Sequence, residues 1–217
     1  MLSKLFTTGA LIFVALSTPV IAADDKIVIT GSSTVAPLIT EIGKRFEEKN
    51  PGVRVDVQTG GSSRGINDAR SGLADIGMAS RALKKDESDL KAYTIARDGI
   101  GVVLNSANTV STLTDQQIVD IYTGKISDWS AVGGTQGPIT VVNKAEGRST
   151  LELFLHFFKL KASDIKAHVV IGDNQQGIKT VAGNPNAIGY VSIGTAEYEA
   201  GAGTPIKLLG LKGVVAS

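Results

Sequence analysis

The 217-residue chain is 42% apolar and 20% charged, which supplies material for a buried core and excludes a disordered or fibrous polymer. It has no cysteine, so disulfides, thiolate metal sites and a thiol-linked lipid are excluded. Its 22 basic residues are offset by 21 acidic ones, which argues against nucleic acid as the main partner, because such binding needs many phosphate-neutralising cations.

The first stretch differs from everything after it. Lys4 precedes an apolar run around Leu11 to Leu16, and Val20-Ile21-Ala22-Ala23 then meets Asp24-Asp25. A basic start, a short apolar middle and small residues before a polar junction predict a secretory signal over 1–23, cleaved near Ala22 or Ala23. The run is too short to cross a bilayer as a helix. The expected product is a soluble periplasmic monomer, with no membrane insertion once the signal is removed.

Beyond the signal, short apolar runs alternate with longer amphipathic segments, the pattern of βαβ units and a mainly parallel sheet. Residues 26–30 read as a strand, Gly31-Ser32-Ser33 as a loop, and 34–49 as a helix with Val35, Leu38, Ile42 and Phe46 at helical spacing. Asn50-Pro51-Gly52 stops it. Residues 53–57 alternate as a strand, followed by Gly60-Gly61-Ser62-Ser63 and a short helix to Gly72. A third strand over 75–79 ends on Ser80-Arg81. A long buried strand over 100–104 leads into Asn105-Ser106-Ala107-Asn108, small and polar enough for a hinge. Thr114 caps a helix over 115–122 that Gly124 stops, and strand 139–142, helix 151–160, strand 167–171, helix 174–182 and strand 188–191 follow. The predicted fold class is α/β, with lobe 1 over 24–105, joined by the C-terminal 194–217, and lobe 2 over 106–193. A ligand cleft is expected between them.

Three strand-to-helix junctions have the composition of an anion cradle: Gly31 to Thr34, Gly60 to Gly65, and Gly147 to Thr150. Backbone N–H groups at a helix start bring partial positive charge, hydroxyls add directed hydrogen bonds, and glycine lets the backbone come close. Serine or threonine before any one helix is an ordinary cap. Loops at the carboxyl ends of strands collect on one edge of a sheet, where ligands bind, and with the first two on lobe 1 and the third on lobe 2 they are expected to face each other across the cleft. Arg64, Arg81, Lys144 and Arg148 stand in or beside them and supply full positive charge.

Four longer stretches carry a resemblance: 29–38, 74–81, 120–129 and 184–191. Together they make the chain similar to the phosphate-binding proteins of bacterial phosphate ABC transporters, a family of type II periplasmic binding proteins with two lobes. The resemblance implies inorganic phosphate held by Ser33, Thr34 and Val35, by Ser63, by Ser80 and Arg81, and by Lys144, Gly147, Arg148, Ser149 and Thr150. It also implies delivery to membrane permease subunits, with no cofactor, no metal and no catalysis. In this family the last loop usually begins with arginine and continues Gly-Ser-Gly-Thr, whereas here Lys144 stands first and Arg148-Ser149 replace Ser-Gly. Relatives usually also continue past Leu208-Leu209-Gly210 with elements that return to the first lobe.

A phosphate-selective site needs a carboxylate to accept the ligand's proton, and Asp75 or Glu146 could serve, or each could pair with a nearby cation. Rival functions are binding of sulfate or molybdate, an exported phosphate sensor, and an exported phosphatase. The last would need a metal cluster or an activated nucleophile, yet the two histidines, His156 and His168, sit in no such arrangement.

Overall fold

Strand β1 (Asp25–Gly31) opens the described part of the chain, residues 25–211 of this computed structural model; the predicted signal lies outside them. β1 pairs in parallel with β2 (Val53–Thr59) on one side and β3 (Ile76–Met78) on the other. The crossovers are α1 (Ala36–Lys49), with Pro37 in its first turn, and α2 (Ser62–Ser71), which stops on Gly72 in the left-handed region (φ 72).

α1 turns only part of its apolar set to this sheet, Ile39 packing against the core of Ile29, Ala36 and Met78. Leu38, Ile42 and Phe46 are 43%, 48% and 43% exposed, and the helix seats on the sheet through Ala36, Ile39 and Gly43. A Cβ at Gly43 would lie 2.9 Å from Val55 Cγ1, so close approach is what selects the small residue there.

The second sheet has five strands in the order β7-β6-β8-β4-β9. They are β4 (Ile100–Asn105), β6 (Thr140–Lys144), β7 (Val169–Ile171), β8 (Ala187–Ser192) and β9 (Ile206–Leu208). The two-residue β5 (Thr112–Leu113) pairs in parallel with β10 (Gly210–Leu211). β6 runs parallel to β7 and β8, whereas β4 is antiparallel to β8 and β9. Helices α3 (Asp115–Tyr122), α4 (Ser149–Phe158), α5 (Asn174–Ala182) and α6 (Ile193–Gly201) accompany it. Thr114 caps α3 by accepting from Gln117 N.

Two placements differ from the division read in the sequence, which ended lobe 1 at 105 and returned 194–217 to it. β4 belongs to the five-stranded sheet because it is apolar on both faces. Val102 and Leu104 enter a cluster with Tyr122, Trp129 and Phe154, and Val103 enters another with Ile178, Val181 and Ala196. Only a sheet covered on both sides can bury such a strand. α6 and β9 stay with it, through Ala196 and Ile206 in the second cluster. The first lobe of the described chain is therefore 25–78, with a small core of Ile29, Ala36 and Met78, and the second begins at β4.

The expected hinge at 105–108 is also fastened. Asn105 Nδ2 donates to Val181 O (3.1 Å) and Ala182 O (2.8 Å), closing the end of α5, and Asn108 Nδ2 donates to Pro185 O (3.3 Å). Among the described residues the lobes are joined by 79–99.

Candidate oxyanion-binding site

Four parallel strands that lead to a helix point their carboxyl ends at the seam between the lobes. β1 ends at the loop before α1, β2 before α2, β6 before α4 and β7 before α5. Ser62 and Ser149, the first residues of α2 and α4, meet across the seam, Ser62 Oγ donating to Ser149 Oγ at 3.1 Å. Asn174, the first residue of α5, meets the loop before α1. Its backbone N donates to Ser33 Oγ (3.3 Å) and its Nδ2 to Thr34 Oγ1 (3.1 Å). Four helix N-termini thus converge, each bringing the positive end of its helix dipole to the seam.

Hydroxyls line the centre. Ser32 Oγ donates to Ser80 Oγ (2.9 Å), Ser80 N donates to Ser62 Oγ (3.0 Å), and the Ser80 and Ser149 hydroxyls share a short hydrogen bond. Ser32, Ser62 and Ser149 are buried. Each hydroxyl has one rotatable proton and two lone pairs, so the four serines can turn their donors from one another towards an oxyanion without moving the backbone.

Two cations sit beneath this array. Lys144 is only 2% exposed, and its Nζ donates to Asn174 Oδ1 at 3.0 Å. Burial lowers its pKa to about 7, the charge of Asp173 working against the shift and that of Arg148 adding to it. Arg148 caps α4 with its backbone, and its side chain crosses to Gly61. A Cβ there would lie 2.8 Å from Arg148 Cδ and 2.6 Å from Gly147 O, so glycine is required at this crossing, where φ is also 93°. The Arg148 Nη1 is buried with no hydrogen-bond acceptor, and burial again disfavours its charge. Neither cation forms an ion pair with a carboxylate among the described residues. A buried, unpaired cation is costly unless an anion completes it.

Arg81 is occupied differently. Its Nη1 and Nη2 donate to the two carboxylate oxygens of Glu87 at 2.7 and 2.8 Å, which holds the Glu87 pKa down to about 2. Arg64 is spent on Asp68 and Gln58 in its own lobe.

The remaining expected residues divide in the same way. Ser33, Thr34, Ser80, Lys144 and Ser149 are brought together at the seam. Ser63 N donates to Gly147 O (3.3 Å) across it, and Thr150 is buried one residue into α4. The Val35 N–H is used within its own turn, donating to Ser32 O (3.2 Å). Asp75 accepts from Val28 N (2.8 Å) at the opening end of β3, away from Ser80, and Glu146 is exposed. Sequence reading passed over Ser32 and Ser62 as site residues, although both lie in the loops it singled out, and it missed Asn174 entirely. The one available signal for Asn174 was its position at the start of a helix after a strand.

No group of three or more His, Cys, Asp or Glu stands close enough to hold a metal among the described residues, and none of their helices is long and apolar enough to cross a membrane.

The PBP superfamily domain matches residues 17–211. The phosphate-binding protein PstS 2 of Streptococcus agalactiae is 49% identical over 107 residues, covering 48% of this chain and 36% of its own. The phosphate-binding protein PstS of Bacillus subtilis is 29% identical over 174 residues, covering 78% and 58%. The chain thus spans between about a third and three fifths of these relatives' length. Among solved structures, a protein assigned as a phosphate ABC transporter substrate-binding protein, with bound phosphate, from Clostridium perfringens superposes with a TM-score of 0.80 at 35% identity. That match covers 89% of this chain and 78% of the other.

Proposed function

The chain belongs to the PBP superfamily, and on that footing we propose that it is an exported, soluble, monomeric binding protein that captures inorganic phosphate and delivers it to an ABC permease. The observation that carries this reading is the convergence of four helix N-termini and four serine hydroxyls over the buried Lys144 and the half-buried Arg148, neither of which has a carboxylate ion-pair partner among the described residues. Such a site binds a compact oxyanion through many neutral donors and a little net charge. It offers no activated nucleophile, since the serine hydroxyls bond to one another and to backbone rather than to a base. We therefore read it as a carrier rather than an enzyme.

In the proposed capture, phosphate enters between the lobes and takes over the hydrogen bonds that Ser32, Ser62, Ser80 and Ser149 now make to one another. Lys144 and Arg148 balance its charge, and Asn174 ties the second lobe to Ser33 and Thr34. Because donors come from both lobes, the ligand favours the closed arrangement.

A second reading is a fully deprotonated oxyanion such as sulfate. It is favoured by the positions of Asp75, bonded to Val28 N, and Glu146, exposed, neither of which stands ready to accept a phosphate proton. Calorimetry of the mature chain against phosphate and sulfate separates the two. Phosphate is expected to bind and sulfate to bind at least tenfold more weakly, and Arg148→Ala is expected to cost tenfold or more, as for loss of a buried hydrogen-bonded charge. Sulfate binding without phosphate binding overturns the assignment.

A further inference from the structure

We propose that Glu152, which lies outside the cradle, is a positioning residue that latches the two lobes in the capture-competent arrangement. This rests on the reading of the protein as an oxyanion carrier that works by closure.

Glu152 lies in the first turn of α4, on the second lobe. Its Oε2 is 3.3 Å from Arg81 Nε and its Oε1 is 3.7 Å from Lys84 Nζ. Both cations travel with the first lobe, because the segment that carries them is bound to α2. Arg70, in the last turn of α2, donates through Nε to Asp89 Oδ2 at 2.7 Å and through Nη2 to Asp86 O at 2.9 Å. Ser80, next to Arg81, donates its N–H to Ser62 Oγ at the start of the same helix. The Glu152 contacts therefore cross the seam, and they must break when the lobes separate.

The pair is poised rather than saturated. The Arg81 side chain is 7% exposed and its fork is fully taken by Glu87, so only Nε remains free to serve Glu152. That N–H is buried and makes no hydrogen bond, since Glu152 attracts it by charge from off its axis. A small further closure would align the two, turning a charge contact into a charge-assisted hydrogen bond. Glu152, 35% exposed, keeps one side in water, so closing costs it little desolvation, the contact it gains is modest, and the latch remains reversible.

Removing the carboxylate should act on release. Glu152→Gln is expected to raise the phosphate dissociation rate about three- to tenfold, with the association rate unchanged or slightly higher because a negative charge is removed near the cleft. Glu152→Asp should recover part of the loss. Lys84→Gln should add little on top of Glu152→Gln, because the two share one contact. The second readout needs no ligand. With the sole cysteines introduced at exposed Lys44→Cys on α1 and Lys179→Cys on α5, spin-label distances should shift towards longer values in Glu152→Gln than in the parent. Unchanged distances together with an unchanged dissociation rate overturn the latch, as does a change confined to the association rate. A parent that binds no phosphate overturns the proposed function instead, and the distance comparison still decides the latch.

Discussion

Lys144 concentrates the chemistry of the site in one titration. Its pKa in the fold is about 7 against an ordinary 10.5, because burial penalises the charged form. The unfolded chain therefore holds a proton on this lysine that the folded one lacks between these values. Its contribution to stability rises with pH from about 7 to about 10.5, and the penalty is full below about 7. An oxyanion beside the amine reverses the preference, so binding takes up a proton above about 7. Phosphate affinity should accordingly fall as pH rises through about 7, by at most tenfold per unit from this group. Phosphate itself titrates in the same range, so the informative measurement is calorimetry of the parent beside Lys144→Arg from pH 6 to 9. The arginine variant should show the shallower fall, and parallel curves would remove Lys144 from the coupling. This residue was visible in the sequence as a lysine where the resembling family has arginine. Its depressed pKa was not, because that depends on its burial under α5, where among the described residues its Nζ has the neutral Asn174 and no carboxylate as hydrogen-bond partner.

At the scale of elements, strand-to-helix junctions were the most legible part of the fold. Thr114 ahead of α3, Gly72 after α2 and the hydroxyl-rich loops all stand where local rules place them, since caps and left-handed turns depend on neighbouring residues alone. Sheet membership was less legible. Nothing local tells β4 which sheet will have it, and the apolar spacing of α1 gave no warning that Leu38, Ile42 and Phe46 would be left exposed. The contact that fixes α2 is backbone on backbone. A Cβ at Gly65 would fall 2.6 Å from Thr30 O and 2.7 Å from Met78 O, and neither carbonyl can yield without distorting β1 or β3. Gly65→Ala gains about 1 kcal/mol of helix propensity but meets an overpacking cost at the upper end of the usual 1–3 kcal/mol or beyond. We expect a net loss of roughly 2 kcal/mol, read as a lower denaturation midpoint at unchanged slope. Because α2 begins at Ser62, phosphate affinity should fall with it.

For the whole molecule, the question is where closure is absorbed. The sequence suggested 105–108, but Asn105 and Asn108 fasten that segment to the second lobe. In the connection that does join the lobes, Arg70 anchors Asp86 and Asp89 to α2 at one end. At the other, Asp98 Oδ1 accepts from Gly194 N (3.2 Å) and its other oxygen bonds the Ser192 hydroxyl. Between these anchors, 91–97 is exposed throughout and has no regular structure, so it is the part able to change its dihedral angles without breaking a core. The lobes should then separate as rigid bodies about this stretch, with the seam contacts of Asn174, Ser62 and Arg148 as the ones lost. Small-angle scattering of the mature chain should show a smaller radius of gyration at saturating phosphate than without it, and Arg148→Ala should need more phosphate to reach the same compact profile. Replacing Ala92 and Ala96 by proline stiffens the connection, so it should slow the approach to the compact form while leaving the cradle residues untouched. Identical profiles with and without phosphate, in a protein whose calorimetry records binding, would mean that the lobes are already closed before capture and that 91–97 is a tether rather than a hinge.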